Sequence, residues 1–387
     1  MPKLPKIAIN GTYIQEQASG LGVVNQNLIS RLMDCSEECK GDRHFDFTLY
    51  SHADTFQSKY GDRVANVDPG LSPDRGFSGH LKRIWWYQTK LKQRLKQEQA
   101  DLFFSPVYEG MFFPHVPQIL TVHDLIPLKY PELSPKWKYY YQYALPFLLK
   151  QSQRIICVSE FTKQDLVNTY SLNPDSIDVV YNGYDRNLFY PQPNSTVIQK
   201  YGLDKYLLYV GDMRFYKNLG RTLEAFDRLN DKDCQFVITG KKDDFFYPEI
   251  AQQVAKLASR DRIIFLDYVP TAELPALYSL AQALVFASLY EGFGLPVLEA
   301  MACGCPVITS QVTSIPEVGG DSVLYVDPDD VDSIAQGMQQ ILTNSELQTD
   351  LKHQGLARAE LFSWDKTAED VYQIFGQLTV NMRSGIL

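Results

Sequence analysis

The sequence predicts an α/β fold built from two Rossmann-like domains, and three observations carry that expectation. Short apolar runs of strand length alternate with longer helical patterns along the whole chain. Continuous apolar strands flanked by helices belong to parallel sheets covered on both faces. The series occurs twice, once on each side of residues 187–195, where Tyr190-Pro191-Gln192-Pro193-Asn194 has the composition of a linker. At 387 residues the chain is also long for one core, and each half is long enough for a domain.

In the first half the strand candidates are residues 6–10, 45–50, 102–105, 118–122, 154–158 and 177–181. The first is followed by a loop over 11–19. Ser19-Gly20-Leu21-Gly22 then opens a helix running to about Met33, and this spacing is not G-x-G-x-x-G, which argues against a nicotinamide site. Residues 80–99 form a basic helical pattern, with Leu81, Ile84, Trp85, Leu91 and Leu95 at helical spacing among Lys82, Arg83, Lys90, Lys92, Arg94 and Lys96. It is either a packing helix with a solvated basic face or a candidate for peripheral contact with an anionic membrane. The strand at 118–122 ends in His123-Asp124, and ligands of such sheets bind beyond the carboxyl ends of strands, so His123 is expected at the ligand side. The aromatic stretch 136–143 (KWKYYYQY) suits either sugar stacking or packing between helices. Ser159 after the strand at 154–158 reads as a helix cap.

In the second half the candidates are 206–210, 235–239, 262–266, 283–287, 306–309 and 323–326. The first leads into Gly211-Asp212-Met213-Arg214-Phe215-Tyr216-Lys217-Asn218, where Lys217 is a compact charge for a diphosphate and Arg214 a second cation. Asp327-Pro328-Asp329-Asp330 reads as a turn capping a helix over 331–342, so no metal is expected there.

The most informative span is 291–299, EGFGLPVLE. Pro296 is placed for a helix start. The amides of Phe293, Gly294 and Leu295 then lie at the positive end of a helix, a site for phosphate. Glu291 precedes the loop and can face a group attached to that phosphate. Glu299, about one turn in, can accept hydrogen bonds from vicinal hydroxyls such as a ribose's. A carboxylate on each side of a phosphate site suits a sugar nucleotide.

Charge and cysteine usage narrow the classes. The net charge is −9, and residues 191–387 hold most of the acidic excess, against a nucleic-acid partner. The six cysteines lack zinc-site spacing and read as free thiols of a reducing cytoplasm. No apolar run reaches the roughly 18–20 residues of a transmembrane helix, and no signal-peptide core is evident.

The 291–299 motif resembles the E-x7-E signature of family 4 retaining glycosyltransferases, which have the GT-B fold, and the resemblance covers nearly the whole chain. It implies a fold of two Rossmann-like domains facing across a cleft that closes on substrates. The expected division is an acceptor-side domain over 1–190, a donor domain over 191–362, and a terminal helix over 363–387 crossing back to the first domain. Gly20 and Gly22 look like the family's glycine-rich first loop, which reaches over the donor diphosphate. His123 corresponds to the histidine that lies against the donor sugar. Tyr268 and Val269 fit the turn beside the nucleotide base. Lys217-Asn218 matches the family's phosphate-binding segment, but Asp212 stands where an Arg is usual. The implied catalytic set is Glu291, Lys217, His123 and Arg214, with no metal and no cofactor beyond a nucleotide-sugar donor. TVHDLIPLKYP and YVGDMRFYKN resemble bacterial polysaccharide mannosyltransferases, which makes GDP-mannose the favoured donor and a glycan or lipid-linked molecule the acceptor. A UDP-sugar transferase, a sugar-nucleotide 2-epimerase and a non-catalytic sugar-nucleotide-binding partner are the alternatives.

Overall fold

The computed structural model describes residues 4–15, 20–38, 45–133, 135–240, 242 and 245–383. The chain divides into two compact units, Met1–Gly183 with Trp364–Leu387, and Tyr184–Ser363. In the first, β1 (Lys6–Asn10), β2 (Asp46–Ser51), β3 (Val64–Asn66), β4 (Leu102–Ser105), β5 (Gln118–Val122), β6 (Arg154–Cys157) and β7 (Ile177–Val179) form one sheet. Its order is β3-β2-β1-β4-β5-β6-β7, with every pairing parallel. In the second, β8 (Tyr206–Val210), β9 (Gln235–Thr239), β10 (Ile263–Phe265), β11 (Ala283–Phe286), β12 (Val307–Ser310) and β13 (Leu324–Val326) run in the order β10-β9-β8-β11-β12-β13, again all parallel. Both units are therefore doubly wound α/β domains of the Rossmann type. β3 lies outside the strands read from sequence. It is three residues long, and only Val64 of it is buried, so it carries no apolar run to recognise. His123 accordingly follows the fifth strand in chain order rather than the fourth.

The strands are buried because helices cover both faces. β4, β5, β8, β11 and β12 show almost no exposure, in keeping with their unbroken apolar runs. The terminal helix Trp364–Arg383 packs on the first sheet. Its Phe375 ring meets Phe104 of β4 and Phe47 of β2 at centroid distances of 5.2 and 6.3 Å, and Thr367 Oγ1 donates to the Tyr181 carbonyl at 2.8 Å. Residues 187–195, linker-like in composition, belong to the second unit. There Phe189 is buried against Tyr278, and the Gln192 amide donates to Ser279 Oγ at 2.9 Å.

In each sheet the strand order reverses once, between β1 and β4 and between β8 and β11. Such switch points, beyond the carboxyl ends of the strands, are where open α/β sheets bind ligands. The register aligns Leu284 of β11 with Leu208 of β8, so the loops after Val210 and Phe286 leave the sheet side by side.

Candidate active site

Those two adjacent loops carry the residues singled out in the second half. After β8 the chain turns through Gly211 and reaches the short turn Phe215–Lys217. Asn218 follows in a left-handed conformation (φ 60°), which an asparagine tolerates better than most residues. Its buried amide donates to the carbonyls of Ala287 (2.9 Å) and Pro328 (2.7 Å), fastening this turn to the end of β11 and to the acidic turn before β13's following helix. Sequence reading quoted Asn218 without giving it this role, since both acceptors are remote in sequence.

So placed, Lys217 Nζ donates to both carboxylate oxygens of Glu291, at 2.8 and 3.0 Å. The two side chains are only 14% and 9% exposed. Burial works against the ammonium, but the Glu291 carboxylate outweighs it and raises the Lys217 pKa above the ordinary lysine range. The Phe286 and Tyr216 rings lie 5.2 and 5.5 Å from Nζ. A cation and a carboxylate are thus held together at the switch point of the second sheet. Arg214 is different: its side chain is about half exposed, leans on Asp212 at 3.5 Å and donates to the Tyr216 hydroxyl at 3.4 Å.

The Glu291 loop is held from below by a segment that sequence reading missed. Thr313 Oγ1 accepts from the Glu291 amide at 3.1 Å, and the buried Ser314 hydroxyl lies 2.9 Å from the Glu291 carbonyl and 3.1 Å from that of Phe293. Gly294 has φ 110°, and a Cβ there would stand 2.8 Å from Ile315 Cδ1, so both backbone and space call for glycine. The helix runs Leu295–Ala302, which puts Pro296 at its second residue rather than its first. Phe293, Gly294 and Leu295 lie at its amino end, where main-chain N–H groups point out of the helix. Glu299 is half-buried and accepts from the Tyr278 hydroxyl at 3.1 Å. Burial lifts its carboxyl to about 7, with the tyrosine bond pulling the other way.

The turn after β10 is also strained. Asp267 is left-handed (φ 55°); its carbonyl accepts from Gly240 at 3.2 Å and its carboxylate pairs with Lys242 at 2.5 Å. Gly240 is required there, because a Cβ would fall 1.8 Å from the Gly211 carbonyl oxygen. Tyr268 is 67% exposed, whereas Val269 is buried and offers a ligand only its backbone. The acidic turn is engaged internally: Asp327 accepts from the Asp329 amide, and Asp330 caps the helix Val331–Thr343.

In the first unit, His123 is 7% exposed, and its Nε2 lies 2.9 Å from the Pro106 carbonyl, to which it donates. Burial lowers its pKa to about 4, so the ring is neutral near pH 7. Asp124 shapes the next turn by accepting from the Ile126 amide. Gly20 begins the helix Gly20–Glu38 and Gly22 is buried in its first turn; of the preceding loop, residues 16–19, including Ser19, lie outside the described residues. Ser159 caps its helix as expected, accepting from the Thr162 amide.

The pair of doubly wound units, with a buried Lys–Glu pair and a glycine–proline helix start at one switch point, marks an α/β protein with a ligand site at the second unit's switch point. Residues 26–188 match the Glycosyltransferase Family 4 profile and residues 193–358 that of Glycosyl transferases group 1. The chain belongs to this glycosyltransferase family. It is 34% identical over 272 residues to O-antigen chain mannosyltransferase B of Escherichia coli, covering 67% of this chain and 71% of the relative. It is 31% identical over 294 residues to O-antigen chain mannosyltransferase RfbU of Salmonella typhimurium, covering 75% and 79%. Sucrose-phosphate synthase from Thermosynechococcus elongatus shares the fold, with a TM-score of 0.75 at 20% identity over 97% of this chain and 99% of that one. So does Anabaena HepE in complex with UDP-glucose, with a TM-score of 0.72 at 16% identity over 96% and 99%.

Proposed function

We propose that this chain is a retaining, metal-independent hexosyltransferase that moves mannose from GDP-mannose to a glycan or lipid-linked acceptor. The observation that carries the reading is the Lys217–Glu291 pair at the second switch point. Cleavage of a glycosyl diphosphate leaves negative charge on the departing oxygens. A buried ammonium fixed in advance stabilises that charge where it develops, without reorganising water. The amino end of the helix Leu295–Ala302 adds partial positive charge for the same diphosphate. Together these supply what a divalent cation supplies elsewhere, and Asp327 and Asp330 are engaged in their own turn and cap.

Glu299 takes the ribose hydroxyls, and Tyr268 and Val269 border the base. Glu291 serves the sugar, and His123 is a neutral hydrogen-bonding group at a strand end of the first unit. Both Glu291 carboxylate oxygens accept from Lys217, which suits Glu291 to hold and orient rather than to attack, so same-face attack assisted by the leaving phosphate is the favoured route to retention. Mannose as the sugar rests on the mannosyltransferase relatives. The site of work is the inner face of the cytoplasmic membrane, reached through the surface around residues 80–99.

Removal of either partner tests the reading. Lys217→Ala is expected to lower turnover on the order of 10²–10³-fold. Glu291→Ala should lower turnover far more than nucleotide affinity. Wild-type-like turnover in a folded Lys217→Ala protein contradicts the assignment, and equal losses of turnover and affinity in Glu291→Ala would reduce Glu291 to a donor anchor.

A further inference from the structure

The switch point of the first sheet holds a second buried charged cluster, which draws His80 and Arg83 out of the basic run 80–99 and onto Glu109. Glu109 leaves the loop after β4 and is fully buried. Its Oε1 accepts from the Tyr13 hydroxyl at 2.9 Å and from Arg83 Nη2 at 3.0 Å, and lies 2.6 Å from His80 Nδ1. Its Oε2 accepts from Arg83 Nε at 2.7 Å and from the Tyr87 hydroxyl at 3.2 Å. Arg83, also buried, donates to the Leu71 carbonyl and stacks over the Tyr13 ring at 4.7 Å. Asn10, the last residue of β1, donates to Tyr87 (2.8 Å) and to Ser105 of β4 (3.0 Å), and its own oxygen accepts from the Thr12 amide and hydroxyl.

The cluster ties the loops following β1 and β4 to the helical run over 76–91: Tyr13 comes from the first loop, Glu109 from the second, and His80, Arg83 and Tyr87 from the helical run. Burial alone would raise the Glu109 carboxyl, but Arg83 and His80 outweigh it and hold it ionised, at about 2. A buried ion pair contributes little net stability compared with apolar residues of similar volume, so stability is a weak reason for placing one here. What the pair does provide is a single geometry, because a forked guanidinium and a carboxylate fit in few ways. The residue fixed most directly is Tyr13, in the loop that leads into the glycine-started helix at Gly20.

We infer that the Arg83–Glu109 pair is a positioning device: through the Tyr13 hydroxyl it holds residues 11–14, at the switch point of the first sheet, in the one geometry that substrate binding there requires during transfer. This rests on the proposed transferase reading, and the residues act through the loop rather than on the substrate. Arg83→Lys should not substitute, since an ammonium cannot make the fork.

The test uses Tyr13→Phe, which removes one hydroxyl, and Glu109→Gln, which keeps the shape and removes the charge. Transfer from GDP-mannose is measured as kcat and KM, GDP affinity by calorimetry, and hydrogen exchange of the amides of residues 11–14 by mass spectrometry. Tyr13→Phe should lower kcat about tenfold, leave GDP affinity within about twofold, and speed exchange at 11–14 while the strands stay protected. Glu109→Gln should shift the same quantities further. Wild-type kcat with unchanged exchange in folded Tyr13→Phe overturns the inference, as does a kcat loss fully recovered on cooling the assay, which marks a stability defect. If the wild-type chain transfers no hexose, the donor reading has failed, and the exchange arm alone still decides whether the pair positions the loop.

Discussion

Burial beside Tyr278 lifts the Glu299 carboxyl to about 7, so this side chain changes charge close to physiological pH. A carboxyl accepts from both hydroxyls of a ribose diol through its two oxygens only when ionised, and such charge-assisted bonds are the stronger ones. Because the pKa is raised, the ionised form dominates above about 7 and is lost below it. Nucleotide affinity should therefore be highest above pH 7 and fall by up to roughly tenfold per unit at lower pH. Calorimetry of GDP between pH 5.5 and 8.5, compared with Glu299→Gln to cancel the nucleotide's own phosphate titration, measures this. Tyr278→Phe removes a bond that lowers the pKa, so the fall should begin at higher pH. A wild-type profile parallel to that of Glu299→Gln would remove Glu299 from the ribose. At this scale Glu291, Lys217 and Glu299 stand out in the sequence, because polar residues beside glycines and a proline at strand ends have few architectural uses, and the structure pairs Lys217 with Glu291. Asn218, Thr313, Ser314 and Tyr278 were not, since each acts through a contact that local pattern does not encode. The Arg83–Glu109 pair was hidden for the same reason: Arg83 sits in a run of basic residues that reads as solvated, yet it points inward.

The helical run 76–98 shows how far pattern carries at the level of elements. Leu91 and Leu95 of its apolar set are fully buried, while Leu81 and Trp85 are 53% and 61% exposed. A turn of wider π geometry over Tyr87–Leu91 separates the two stretches. A second helical run at 135–150 has the same construction, with a π turn at Tyr140–Ala144 and exposed Tyr139, Tyr143 and Phe147. The two meet where His80 packs on Trp137 at 4.3 Å and on Tyr140 at 4.6 Å. Neither residues 76–97 nor 135–150 contain an Asp or Glu, and Lys82, Lys90, Lys136 and Lys150 are exposed. Aromatic side chains among lysines suit an anionic bilayer surface, where each Lys contributes about 1 kcal/mol. The chain should float with vesicles containing one-third phosphatidylglycerol and not with pure phosphatidylcholine. Trp85→Ser with Tyr143→Ser should lower binding at least about tenfold. Equal binding to both vesicle types, or no effect of the double substitution, would leave these helices as packing elements only. Strand positions were otherwise readable to within a residue or two, since full burial forces apolar runs; β3 escaped because three residues at a sheet edge need no such run.

On the scale of the whole chain, the two parallel sheets followed from the alternation of apolar strand runs with helical patterns, repeated on each side of a linker-like stretch. The side on which each sheet is expected to take a ligand follows from topology, from the order reversals at β1/β4 and β8/β11. The identity of the sugar nucleotide depends on a few side-chain positions, and that is why pattern stops short of it. No described helix is long and apolar enough to cross a membrane. Calorimetric titration of the purified chain with GDP, UDP and ADP, without and then with magnesium, addresses the donor directly. Selective GDP binding that magnesium does not strengthen is the expected result. Selective UDP binding would overturn mannose from GDP-mannose while keeping the Lys217–Glu291 chemistry, and no binding of any of the three would contradict the nucleotide-sugar site itself.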